Sequence, residues 1–175
     1  VDINTNPNNP VIGYRSFGDN KENVVSLVTA FVKGTQSEGV LTSIKHFPGH
    51  GDTATDSHLG LPVIDKTKVE LSENELYPFQ QLINEGVDSV MVGHLSVPAL
   101  TNNTNLPSSI NKDIITGVLR NEMGFDGVVI SDALNMHAVS KNYTTPGELE
   151  WLAFDAGNDV LCFAEHIEDG IQMIL

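Results

Sequence analysis

Residues 124–136 read Gly-Phe-Asp-Gly-Val-Val-Ile-Ser-Asp-Ala-Leu-Asn-Met, and the order of parts in this stretch sets the fold class. Gly124 closes a helical pattern in which Ile114, Ile115, Val118 and Leu119 share one face behind a candidate cap at Asn111. Glycine suits that position because it takes a left-handed conformation without a Cβ clash. The apolar run 128–130 has no polar alternate face, which is the pattern of a strand buried on both sides of a parallel sheet. Ser131 and Asp132 then stand at the strand's carboxyl end.

The same junction recurs on either side. Gly86-Val87-Asp88 precedes the apolar run 89–92, and Gly157-Asn158-Asp159 precedes 160–163. A further candidate strand occupies 41–44. Helical patterns fill the intervals. Val24, Leu27, Val28, Phe31 and Val32 form one apolar face that Gly34 is expected to end. Ser72 with Glu75 reads as a capping box and Leu71 with Leu76 as a hydrophobic staple. Pro78 predicts a kink or restart near Tyr77. Thr145-Pro146-Gly147-Glu148 reads as N-cap, proline at the first helical position and a box-closing Glu.

Alternating strands and helices predict a parallel α/β architecture, either an open doubly wound sheet or a (β/α)8 barrel. Both place their chemistry at the carboxyl ends of the strands. A complete barrel needs roughly 250 residues. The 175 residues here supply four or five candidate strands, opening on a finishing strand (Val1-Asp2-Ile3-Asn4) and closing on a helix that is beginning at 171–175. On the barrel reading, residues 1–175 are therefore expected to be a fragment of one catalytic domain, truncated at both ends. Its unpaired sheet edges would favour pairing with a second copy.

Composition narrows the partners. The formal net charge is −14 and the pI about 4.5, which opposes binding to a phosphate backbone. Cys162 is the single cysteine, so no intrachain disulfide can form and the redox compartment stays open. No apolar run approaches the roughly 18 residues of a membrane span. The compartment is not fixed by any of these features.

Two stretches could carry chemistry. The first is Lys45-His46-Phe47-Pro48-Gly49-His50-Gly51-Asp52-Thr53, followed by Asp56-Ser57-His58. Its glycines and proline force a tight, non-helical loop after the strand at 41–44. Its polar residues can be read as turn caps, as metal ligands (His46, His50, Asp52, His58), or as an acid–base pair. In that last reading His58 moves the proton and Asp56 orients its ring. No recognised metal spacing such as His-Glu-x-x-His is present. The second stretch presents Asp132, either as an N-cap for the next helix or as a carboxylate able to attack an anomeric carbon.

Three motifs carry a resemblance. KHFPGHGDTATDSHLGLP (45–62), GFDGVVISDALNM (124–136) and DINTNPNNPVIGYRSFG (2–18) resemble, in this order along the chain, segments of bacterial β-N-acetylglucosaminidases of glycoside hydrolase family 3. The likeness runs through essentially the whole chain. It implies a partial TIM-type barrel and a retaining glycosidase acting on terminal β-linked N-acetylglucosamine, most naturally from peptidoglycan fragments. No cofactor and no metal are implied. Asp132 would be the nucleophile, His58 the general acid/base and Asp56 its partner, while Arg15, Lys45 and His46 would hold the sugar. A histidine in place of the second carboxyl group adds no negative charge beside the nucleophile, so phosphate could compete with water in the second step. His94 falls at the correct strand end to line the site or to brace it. His50 and Asp52 are expected to shape the loop, and His137 and His166 to be ordinary surface or packing residues. The alternatives are a metal-dependent hydrolase built on His46, His50, Asp52 and His58, or an inactive sugar-binding fragment.

Overall fold

The computed structural model describes residues 1–54, 60–101 and 104–175. At its centre lies a parallel sheet in the order β1-β2-β3, formed by Ser43–Phe47, Ser89–Val92 and Val128–Ser131. β2 and β3 pair in continuous register from Ser89↔Val128 to Val92↔Ser131. β1 and β2 start in register at Ser43↔Ser89, and the register shifts before Phe47↔Val92. Helix α1 (Lys21–Ser37) precedes β1. Helices α2 (Lys68–Glu73) and α3 (Leu76–Asn84) connect β1 to β2, and a wide π-type helix α4 (Asp113–Glu122) connects β2 to β3. Three short helices follow: α5 (His137–Ser140), α6 (Glu148–Ala156) and α7 (Ile167–Ile174).

The core forms where these helices cover the sheet. Val90 and Val92 of the central strand are fully buried, as are Leu71, Phe79, Leu82, Ile114, Ile115 and Leu119 of the covering helices. Phe47 at the end of β1 meets Phe79 edge-on, with ring centroids 5.2 Å apart. Each such side chain contributes about 1.5–3 kcal/mol through burial. A smaller cluster of Ile110, Leu134, Val139, Leu149 and Ala153 lies beneath the segment that leaves β3. That segment carries Asp132, so it rests on packed side chains.

The repeated glycine junction holds. Gly86, Gly124 and Gly157, which follow α3, α4 and α6, have φ of +83°, +72° and +112°. Several local expectations are corrected. α1 does not stop at Gly34 but runs to Ser37, and it buries only its valines: Leu27 and Phe31 are exposed, Phe31 standing against Phe17. The capping box before α2 uses Thr67 and Glu70, because the Ser72 hydroxyl donates to the Lys68 carbonyl within the helix and Glu75 is taken by Lys66. The restart expected near Tyr77 is borne out: a new helix begins at Leu76, so Pro78 sits in the first turn of α3, where its missing N–H breaks no helical bond. Before α6, Thr145 contributes its carbonyl and not its hydroxyl, and Gly147 occupies the cap position. β1 starts two residues later and ends three residues later than expected, so Lys45 and His46 are within it and not beyond it. The run 160–163 forms a single bridge, Ile130↔Val160, and Val160 and Phe163 are exposed. Among the described residues no helix is long and apolar enough to cross a membrane.

Candidate active site

The site is assembled at the carboxyl ends of three adjacent strands, where the last backbone groups of the ladder fix the start of each loop. At the end of β3 the Asp132 amide donates to the Val92 carbonyl (2.9 Å), which ties the residue to the end of β2. Asp132 Oδ1 accepts from the Ala133 amide (2.9 Å), while Oδ2 makes no hydrogen bond to any described residue. The side chain is half-buried. Asp132 does not cap a helix: α5 begins only at His137, with Met136 in the cap position. Among the described residues, then, one carboxylate oxygen is held and the other is not.

At the end of β1, His46 is buried and its Nδ1 lies 2.7 Å from Asp2 Oδ2. Asp2 also accepts the His46 amide (3.1 and 3.2 Å) and the His50 amide (2.7 Å). Burial of Asp2 works against its charged form, but the bond from His46 and the donated amides outweigh it and hold the carboxyl well below the ordinary carboxylate range. A carboxylate on Nδ1 fixes the ring and points Nε2, which has no partner among the described residues, away from the strand. Arg15 and Lys45 are exposed, and together with Asp2 and His46 they line one cleft of about 170 Å³. The three residues expected to grip the sugar are therefore gathered in one place. The cleft continues along β1 against Val28, Phe31 and Val32 of α1, and Asp132 is not among its walls.

The loop after β1 is held from several sides. His50 is buried, its ring edge-on to His46 and its Nδ1 2.5 Å from Thr53 Oγ1. Burial lowers the pKa of His50, against the opposing pull of Asp2 and Asp132, whose charges both reach its ring. Asn9 donates to the His50 carbonyl (2.7 Å) and its Oδ1 accepts the amides of Val11 and Ile12, which staples the loop to the segment that leads to Arg15. Lys66 bridges Asp52 (2.7 Å) and Glu75 (2.6 Å). Gly51 passes so close to residue 3 that a Cβ there would lie 1.8 Å from the Ile3 carbonyl oxygen. The glycine of this motif is thus a requirement of backbone crossing backbone.

His58 and Asp56 lie outside the described residues. Of the alternative metal cluster, His46 is committed to Asp2, His50 to Thr53 and Asp52 to Lys66. Among the described residues no group of three or more His, Cys, Asp or Glu is arranged to hold a metal ion. His137 and His166 are exposed. Sequence reading passed over Asp2 and Asn9 although both sit in the first motif. Their signal was weak, since their partners lie 41–48 positions away. It also left His94 undecided. That ring is fully buried, with Nε2 2.8 Å from the Ala133 carbonyl and Nδ1 2.7 Å from Ser109 Oγ.

Known proteins resemble this chain along nearly its whole length. The chain is 39% identical over 170 residues to β-hexosaminidase A of Pseudoalteromonas piscicida, covering 91% of this chain and 28% of that one. It is 36% identical over 166 residues to the β-hexosaminidase of Haemophilus influenzae, covering 93% and 46%. It superposes on a family 3 β-N-acetylglucosaminidase from Paenibacillus sp. FPU-7 with a TM-score of 0.92 and 43% identity, covering 99% of this chain and 33% of that chain. The chain therefore spans less than half the length of these relatives, and its three parallel strands form part of a TIM-type barrel. Residues 1–174 match the glycosyl hydrolase family 3 N-terminal domain, and the chain belongs to that family.

Proposed function

We propose that the protein is a retaining β-N-acetylglucosaminidase that removes terminal β-linked N-acetylglucosamine, with peptidoglycan fragments as the natural source. Asp132 attacks the anomeric carbon through Oδ2 and forms a glycosyl ester, while His58 protonates the departing oxygen. His58, oriented by Asp56, then takes a proton from the incoming water, which releases the sugar and restores Asp132. Arg15, Lys45 and His46 orient the ring before attack by binding its hydroxyls.

The observation that carries the reading is the placement of Asp132. It is a carboxylate fixed to the tip of the parallel strand β3, with one oxygen held by an amide and the other without a hydrogen bond to any described residue. The names of the β-hexosaminidase relatives and of the family 3 neighbour support the choice of N-acetylglucosamine as the sugar. The roles of His58 and Asp56 rest on the motif at residues 45–62. The test is release of nitrophenol from the β-N-acetylglucosaminide by the full-length polypeptide. Asp132→Ala should lose turnover by several orders of magnitude while still binding N-acetylglucosamine. Turnover near that of the unaltered protein would remove the assignment.

A further inference from the structure

We propose that His94 is a positioning residue that sets the direction of the Asp132 carboxylate; this rests on the glycosidase reading above. His94 stands two residues beyond β2 and is fully buried. Its Nε2 is 2.8 Å from the Ala133 carbonyl oxygen, which can only accept, so Nε2 carries a proton. The contact between Nδ1 and Ser109 Oγ fixes the plane of the ring.

The backbone around Asp132 explains what that bond controls. The Asp132 amide is tied to Val92 and the Leu134 amide to the Cys162 carbonyl, both at 2.9 Å. Between these two fixed points lies Ala133, whose amide holds Asp132 Oδ1 and whose carbonyl receives His94. Removing the imidazole donor leaves a part-buried carbonyl without that partner, which favours turning the peptide toward another donor. Turning Ala133 moves the amide that holds Oδ1, and Oδ2 swings with it. Attack on a sugar carbon needs the oxygen aligned within about 3–3.5 Å, so a small rotation is felt mainly in the chemical step.

The test compares His94→Phe, which keeps a flat ring and loses the contacts to Ala133 and Ser109, with His94→Gln, whose amide can still donate to the Ala133 carbonyl. In the full-length polypeptide, His94→Phe should lower kcat on the nitrophenyl β-N-acetylglucosaminide by roughly 10²-fold with KM within about threefold. His94→Gln should recover most of that loss. If His94→Phe does not fold, His94→Asn, whose amide stops short of the carbonyl, takes its place. Unaltered kcat in the Phe or Asn variant overturns the inference, as does an equal loss in His94→Gln. A crystal structure of the Phe variant tests the same point without reference to activity: an Asp132 carboxylate left in place overturns the proposal, and a rotated one supports it. Failure of the unaltered protein to release nitrophenol strikes instead at the glycosidase reading, and the crystallographic comparison still decides the role of His94.

Discussion

Replacing Gly51 by alanine should injure stability and chemistry together, and the structure gives the size of the effect. An added Cβ would lie 1.8 Å from the Ile3 carbonyl oxygen and 2.4 Å from its carbon. Ordinary contact begins near 3.4 Å, so two backbone segments must separate by well over an ångström. No flexible side chain can absorb that movement. Overpacking of this kind costs about 1–3 kcal/mol, and a backbone-to-backbone clash belongs at or above the upper end. The displaced segments carry Asp2 and Arg15 on one side and His50 on the other, so a shift of about 1 Å should also lower kcat/KM by roughly 10²-fold. Gly34 provides the control. It is an exposed position of α1 with nothing within 4 Å of its added Cβ, so Gly34→Ala should stabilise by about 0.5–1 kcal/mol and leave kinetics alone. In urea, with a slope near 2 kcal/mol per molar, the Gly51 variant should unfold about 1.5 M earlier and the Gly34 variant about 0.3–0.5 M later. Equal midpoints for Gly51→Ala and the unaltered protein would refute the close crossing of residues 3 and 51.

Two further tests concern the site itself. His58→Ala should lose most activity on substrates with poor leaving groups and far less on a dinitrophenyl glycoside, which needs little protonation; equal losses across leaving groups would argue against the acid role. His50 is held below its ordinary pKa by burial, so below about pH 6.5 the unfolded chain takes up protons that the folded state refuses. Its contribution to stability is therefore complete above that pH and is lost as the pH falls. His50→Asn, neutral throughout, should flatten the decline in urea midpoint between pH 7.5 and 5.5, and an unchanged slope would contradict the assignment.

The order of elements, the glycine junctions and the place of Asp132 were all legible in the sequence, because each depends on neighbours in the chain. A glycine after a helical face, an apolar run without a polar side and a carboxylate at its end are local statements about backbone conformation and burial. The failures were those in which a local pattern met a distant partner. Leu27 and Phe31 fit a helical face, yet the core takes only the valines of α1. The run 160–163 looks like an inner strand, yet it finds one neighbour and forms a single bridge. Ser72 and Glu75 have the spacing of a capping box, yet Glu75 is drawn to Lys66 and the motif loop.

Local sequence marked out candidate groups for chemistry and the end of the sheet at which they stand. How those groups are held depends on contacts between distant segments. Asp2 reaches His46 across 44 positions, and His94 reaches Ala133 across 39. Parallel pairing of β1, β2 and β3 brings the strand ends side by side, and the buried hydrogen bonds formed there depend on proximity in space. No spacing along the chain encodes them.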